Sequence, residues 1–141
     1  MEKNGKMNVV DFLMQMDAGK LAEVPTKEVK VKSLSEKAGR DITVTVKALP
    51  GRKVTELTGL AVKDGEVDVK RAFDANLLIV TYGLVEPDAK NEDLQEHFGA
   101  ASPKDLVEKL FNGGEIVNLA GEIRKLSGYD EDEKTDEEIK N

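Results

Sequence analysis

The stretch SPKDLVEKLFNGGEIVNLAGEIRKLSG, residues 102–128, decides the fold because it carries the clearest helix boundaries in the chain. Ser102 is a preferred N-cap residue, and Pro103 suits the first helical position. Asp105 complements the positive end of the helix dipole. Gly128 is well placed to end a second helix, because glycine readily adopts the left-handed conformation found after helix C-termini. The stretch therefore predicts two short helices.

These helices, Ser102–Asn112 and Glu115–Ser127, are expected to pair as a helical hairpin across a turn at residues 112–114. Each carries apolar residues on one side at helical spacing. We predict that this apolar surface lines or supports a binding site for a protein partner. The alternative, which is the more common use of such stripes, is that it forms the hairpin's own core. The candidate partner-binding residues are Leu106, Leu110, Phe111, Ile116, Leu119 and Ile123.

A long central helix is predicted immediately before this region, over Val69–Leu84 with Asp68 as its cap. Its apolar residues follow the 3.6-residue period of a core-facing helix. The segment Leu77–Tyr82 also fits a short buried strand, because an apolar β-branched run is compatible with both structures. The continuous stripe favours the helix. Shorter helices are predicted for residues 54–61 and from Asn91 onward.

Two strands are predicted in the N-terminal third. Glu28–Lys32 and Ile42–Ala48 both alternate apolar and polar residues, which is the period of half-buried strands. The simplest connection between them, Ser33–Asp41, is a loop, so we predict an antiparallel hairpin. Since two strands alone are marginally stable, this hairpin should pack on helices or find a third strand.

One more helix is predicted at the N-terminus, over Val9–Met16 with Asn8 as its N-cap. Its Met-rich face, Leu13, Met14 and Met16, has two interpretations. It is either an adaptable contact surface or ordinary core packing, and periodicity alone favours the core.

Together these elements predict an α+β fold that is mostly helical. An N-terminal antiparallel β-hairpin packs on a bundle of about five helices, as layered domains generally require. Residues 1–128 form a single domain: residues 1–26 are the N-terminal helix and a linker, residues 27–49 the β-hairpin, and residues 50–128 the helical part. Residues 129–141 are expected to be an acidic, disordered tail.

Charge is concentrated at the C-terminus. The chain has 141 residues and a net charge of −7, and residues 129–141 carry seven acidic residues against two lysines. The remainder is nearly neutral, which argues against nucleic-acid binding because phosphate affinity requires clustered lysine and arginine. The longest apolar stretch, Leu77–Val85, is less than half of the roughly twenty residues of a membrane span. We expect no membrane association.

Residues capable of catalysis or ligand binding form no recognisable motif. The chain has no cysteine and one histidine, His97, so no thiolate or typical zinc site is expected. The acidic residues after Asp130 do not match a calcium loop, because Lys134 and Thr135 occupy the fifth and sixth positions. Gly51-Arg52-Lys53 lacks the other residues of a phosphate-binding loop. The sequence therefore predicts neither a cofactor nor an enzyme.

Several short segments, in their order and spacing, match a known family. From about Val29 to Asp130 the chain resembles the XkdN-like phage tail assembly chaperones. The most similar segments are Pro87-Asp88, Asp93-Leu94-Gln95, Gly114-Glu115-Ile116 and Gly128-Tyr129-Asp130.

This resemblance implies a non-enzymatic protein of a phage or prophage, acting in the cytoplasm of the bacterial host. Its implied partner is the tape measure protein, which it would bind during assembly of the tail tube. A second implied partner is a frameshift-extended form of the chain itself. Homo-oligomerisation is left open. The alternative is an acidic phage-encoded regulatory or inhibitor protein that mimics nucleic acid, which would spread its negative charge over the folded surface.

Overall fold

The structure, a computed structural model, describes residues 8–129. Over this range the chain has an α+β fold that is mostly helical, as predicted, with eight helices and a small antiparallel sheet. No helix in these residues is long and apolar enough to cross a membrane. The helices are α1 Val9–Gln15, α2 Ala18–Leu21, α3 Lys32–Ala38, α4 Gly51–Gly59, α5 Val69–Gly83, α6 Glu92–His97, α7 Pro103–Leu110 and α8 Gly113–Leu126. The strands are β1 Thr26–Lys30, β2 Thr43–Lys47, β3 Val62–Lys63, β4 Glu66–Val67 and β5 Leu84–Glu86.

Helix α5 is the centre of the fold. Its start is as predicted, because the Asp68 side chain accepts a hydrogen bond from the backbone N–H of Arg71 at 3.1 Å. The segment Leu77–Tyr82 is helical, so the alternative of a buried strand is wrong. Helices α4, α7 and α8 all pack on α5. The core also contains Val44 and Val46 of β2, which are almost completely buried.

The main sheet has three strands in the order β1-β2-β5, all antiparallel. The predicted strands do pair, but a two-stranded hairpin with a loop is not what forms. Helix α3 occupies most of the predicted loop, and Leu84–Glu86 leaves α5 to pair with the free side of β2. Ser35 supports the helical connection: its hydroxyl donates to the Val31 carbonyl at 2.7 Å and accepts from the Ile42 N–H at 2.8 Å.

Helix α7 begins at its predicted signal and α8 ends at its predicted signal, but α8 begins two residues earlier than predicted. The Ser102 side chain accepts from the Asp105 N–H at the start of α7. Helix α8 begins at Gly113, inside the predicted turn, because the Asn112 side chain caps it together with Glu115 in a capping box. At its other end Gly128 has a φ of 99°, and the two closing backbone hydrogen bonds of a Schellman motif are present.

The predicted pairing of these two helices is corrected by the packing. Helices α7 and α8 each pack mainly on α5 rather than on each other. Helices α5 and α8 pack tightly where Gly83 meets Ile123: a Cβ at Gly83 would lie 2.5 Å from the Ile123 Cδ1. A central helix with separate neighbours therefore replaces the predicted helical hairpin and five-helix bundle.

The first two helices lie outside the core. Asn8 caps α1 as predicted, with its side chain accepting from the N–H groups of Val10 and Asp11. However, no residue of α1 or α2 is buried. The interpretation of the Met-rich face as core packing is therefore wrong. At the other end of the described range, the predicted disordered tail began at Tyr129, but Tyr129 packs against the core, so that boundary is corrected. The rest of the predicted tail, residues 130–141, lies outside the described residues.

Candidate partner-binding groove

The six predicted partner-binding residues lie inside the fold. Leu110 is half-buried against the core, and the other five are buried, with exposed fractions of 4% or less. A partner could reach them only if α7 or α8 moved away from α5. Their participation in binding stays a prediction. The five buried residues are Leu106, Phe111, Ile116, Leu119 and Ile123.

A groove with an apolar floor lies beside the open edge of the main sheet. Its volume is about 480 Å³. The floor is built from the C-terminal half of α5 and from β5, and the wall from the N-terminus of α7. Tyr82 and Val85 are 48% and 41% exposed, although large apolar side chains are normally covered. The apolar floor residues are Leu78, Tyr82, Leu84 and Val85.

Local hydrogen bonding makes the groove less polar than its composition suggests. The Thr81 hydroxyl donates to the Leu77 carbonyl at 2.7 Å, which satisfies it within α5. The Ser102 hydroxyl is likewise occupied, because it accepts from the Asp105 N–H at 3.1 Å. Neither hydroxyl depends on a ligand for its hydrogen bond. The groove is therefore suited to an apolar surface more than to a small polar molecule.

The rim of the groove is positively charged in a chain whose net charge is −7. Lys47, Lys90 and Lys104 line it together with one acidic residue, Asp88. Just outside the groove, the ammonium of Lys53 lies 4.2 Å from the centre of the Tyr82 ring. An apolar floor with a lysine rim fits an amphipathic segment that carries acidic residues.

The residues with potential for catalysis or metal binding are not gathered here. His97, the only histidine, lies on α6, where its ring contacts Phe98 edge to face at a centroid distance of 4.8 Å. Phe98 is 46% exposed. Within residues 8–129, no group of three or more histidine or acidic residues is placed to hold a metal ion.

Sequence reasoning missed the groove because its lining comes from separate segments. Lys47 is the last residue of β2, Lys90 lies in the turn after β5, and Lys104 lies in the first turn of α7. One signal was present in the sequence. The run Leu77–Val85 has apolar residues on more than one helical face, which is more than a helix packed on one side requires. Most of its apolar residues are buried by the elements around α5, and Tyr82 and Val85 are the two that remain exposed.

Two other apolar surfaces are exposed. Val62 of β3 lies opposite Val67 of β4, and both side chains are exposed on this small hairpin. The second surface is the N-terminal arm, which we define as residues 8–25 with helices α1 and α2. Its exposed large apolar residues are Val9, Val10, Phe12, Leu13, Met14, Leu21 and Val24.

Comparisons with known proteins give this arrangement a family context. A family model for the phage XkdN-like tail assembly chaperone protein matches residues 10–140. Among solved structures, the chain is similar to the crystal structure of the protein YqbN, with a TM-score of 0.53 and 22% sequence identity. The similarity covers 82% of this chain and 98% of that chain, and it shows a shared fold. No match was found among curated proteins.

Proposed function

Because this chain belongs to the phage XkdN-like tail assembly chaperones, we propose that it holds the tape measure protein during assembly of the tail tube. The groove beside β5 is the observation that carries this proposal. It is open, its floor is apolar, and its rim carries three lysines. A partner helix with one apolar and one acidic face would bury the first on the floor and pair the second with the rim.

A long helical partner makes such a groove useful. Amphipathic helices that have not yet packed against one another expose apolar stripes, and exposed apolar surface drives aggregation. A chaperone that covers one stripe at a time shields it reversibly. The groove is short, so several copies would be needed along one tape measure chain. In this proposal the work is done in the cytoplasm of the bacterial host, by a protein of a phage or a prophage.

We also propose that the role is not enzymatic. The Thr81 and Ser102 hydroxyls are used in helix hydrogen bonds, and the ionisable residues that line the groove are three lysines, Asp88 and Tyr82. The Asp88 carboxylate stabilises a turn, because it accepts a hydrogen bond from the Lys90 N–H at 2.9 Å. Binding is what this arrangement supports.

A frameshift-extended form of the chain is the second proposed partner. Such a form would share residues 8–129 and therefore the same groove. The rival idea, an acidic inhibitor that mimics nucleic acid, gains no support from the family or from the groove, whose rim is basic. The acidic segment on which that idea depended, residues 130–141, lies outside the described residues.

Co-expression with the tape measure protein tests the proposal. Val85→Asp places a carboxylate on the groove floor, whereas Val117→Asp makes the same change on α8, away from the groove. Both valines are exposed, at 41% and 52%, so neither substitution should disturb the core. We expect Val85→Asp to lose capture of the tape measure protein and Val117→Asp to keep it. Equal capture by both variants would refute a groove-based chaperone role.

A further inference from the structure

We infer that the N-terminal arm of one copy binds the groove of a second copy when no tail protein occupies it. The segment that fills each groove is the N-terminal arm of the other copy, so the two copies exchange their arms. The groove is the one used in the proposed function, but the inference concerns the chain alone and is tested without any tail protein.

The N-terminal arm is an unpartnered apolar surface. Helix α1 has seven residues and a well-formed N-cap at Asn8, yet none of its residues is buried. Isolated helices of this length are marginal in water, because most helical stability in proteins comes from packing an apolar face. Phe12 and Leu13 are 43% and 49% exposed, and Met14 is 81% exposed. Burial against another surface would stabilise both the helix and the complex.

The arm and the groove carry opposite charges. The arm carries three acidic residues, Asp11, Asp17 and Glu23, against one lysine, Lys20. The groove has the opposite balance, with three lysines and one aspartate. An arm lying in the groove would bring acidic residues to a basic rim, while its apolar side chains would cover the apolar floor. These complementary surfaces lie on the same molecule.

The arm joins the rest of the fold close to the groove. The arm ends at Pro25, whose carbonyl accepts a hydrogen bond from the Ala48 N–H at 2.9 Å. The next residue, Thr26, lies opposite Lys47 in the sheet, and Lys47 is part of the groove rim. The root of each arm is therefore close to the groove of its own copy.

This placement favours reciprocal exchange. When the arm of the first copy lies in the groove of the second copy, the arm of the second copy begins beside that groove. It can therefore reach the groove of the first copy, and two equivalent contacts form. A two-fold dimer results, which closes instead of growing into a filament. Exchange of an identical element is a common route to such dimers. A tail protein segment that fills the groove would release the arm, so self-association and chaperone binding would compete.

Light scattering coupled to size-exclusion chromatography of the full chain tests the inference. We expect the unmodified chain to be a dimer and Val117→Asp to remain one. Leu13→Asp in the arm and Val85→Asp in the groove should each weaken dimerisation by at least about tenfold, since each places a charge in an apolar contact. Both positions are exposed in the single copy, so the variants should keep the circular dichroism spectrum of the unmodified chain.

Mixing the two weakened variants makes the test specific. The Leu13→Asp chain keeps an intact groove and the Val85→Asp chain keeps an intact arm, so the mixture should form a one-to-one heterodimer through one arm. A monomeric unmodified chain, or a dimer that survives Leu13→Asp, overturns the inference. So does a mixture that stays monomeric. Loss of tape measure capture is a separate measurement, so the proposed function and arm exchange can fail independently.

Discussion

Glu115 and Ser33 join the C-terminal helix to the sheet connection across 82 residues of sequence. One carboxylate oxygen of Glu115 accepts from the Ser33 N–H at 2.8 Å, and the other accepts from the Ser33 hydroxyl at 2.9 Å. The same carboxylate also accepts from the Asn112 N–H in the capping box of α8. A single side chain thus fixes the start of α8 and its position on α3.

This arrangement makes stability depend on pH. Partial burial raises the pKa of Glu115, but the hydrogen bonds from Ser33 and Asn112 and the charge of Lys37 outweigh it, so the pKa is lowered. Because the folded-state pKa lies below that of the unfolded chain, the carboxylate stabilises the fold above about pH 5. This stabilisation is lost as the pH falls through the lowered pKa. Urea unfolding at pH 7 and pH 3 measures the difference.

Glu115→Gln should remove most of this pH-dependent contribution. We expect a loss of about 1–3 kcal/mol in the free energy of unfolding at pH 7, because bonds to a charged acceptor are replaced. The loss should be smaller at pH 3. Glu108→Gln on the exposed side of α7 is the control and should change stability by less than about 0.5 kcal/mol. A Glu115→Gln effect equal at both pH values would contradict the assigned role.

Gly83→Ala should destabilise the contact between α5 and α8. The added methyl carbon would lie 2.5 Å from the Cδ1 of Ile123, whose side chain is fully buried and has little room to move. Overpacking of this kind costs about 1–3 kcal/mol. Gly121→Ala is the matched control, because an added Cβ there meets nothing within 4 Å. It should stabilise α8 by about 0.5–1 kcal/mol. Thermal unfolding of the two variants should shift in opposite directions.

Phe111→Ala should show that the predicted partner-binding residues support the core. Phe111 is 4% exposed and belongs to the main hydrophobic cluster, so its truncation should cost about 3–5 kcal/mol. Phe98→Ala, at a residue that is 46% exposed, should cost less than about 1 kcal/mol. Denaturant unfolding compares the two. Similar losses would mean that Phe111 is less important to the core than its burial indicates.

Deletion of residues 130–141 should separate the chaperone from the nucleic-acid mimic. The groove is formed entirely within residues 8–129, so the shortened chain should still capture the tape measure protein. A mimic would lose most of its function, because seven acidic residues leave with the segment. Capture by the full and shortened chains, compared at low and moderate salt, gives the answer. Complete loss of capture at both salt concentrations would favour a role for the acidic segment.

Local signals in the sequence located the starts of α1, α5 and α7. Asn8, Asp68 and Ser102 were each identified as caps, and each accepts a hydrogen bond from an N–H two or three residues ahead. A cap depends only on its immediate neighbours in sequence, so the sequence is sufficient to identify it. The same reasoning placed Gly128 correctly at the end of α8.

Long-range pairings were the part that the sequence could not supply. Pro87 disfavours helix at Glu86, but nothing local shows that Leu84–Glu86 is a strand, because that depends on pairing with the free side of β2. Apolar stripes showed which faces of α7 and α8 are buried, but not that both are covered by α5. The groove could not be predicted for the same reason, since its lysines come from three segments that are brought together only by the fold.

The two outer strands of the sheet have a consequence for behaviour at high concentration. A protein that keeps apolar surface exposed risks polymerising through unpaired backbone groups at a sheet edge. Here β1 carries Lys27, Glu28 and Lys30 along its exposed length, and β5 has only three residues. The charged side chains of β1 and the short length of β5 both oppose the addition of further strands and so oppose growth into fibrils. This protein can therefore expose apolar side chains and still resist amyloid-like aggregation.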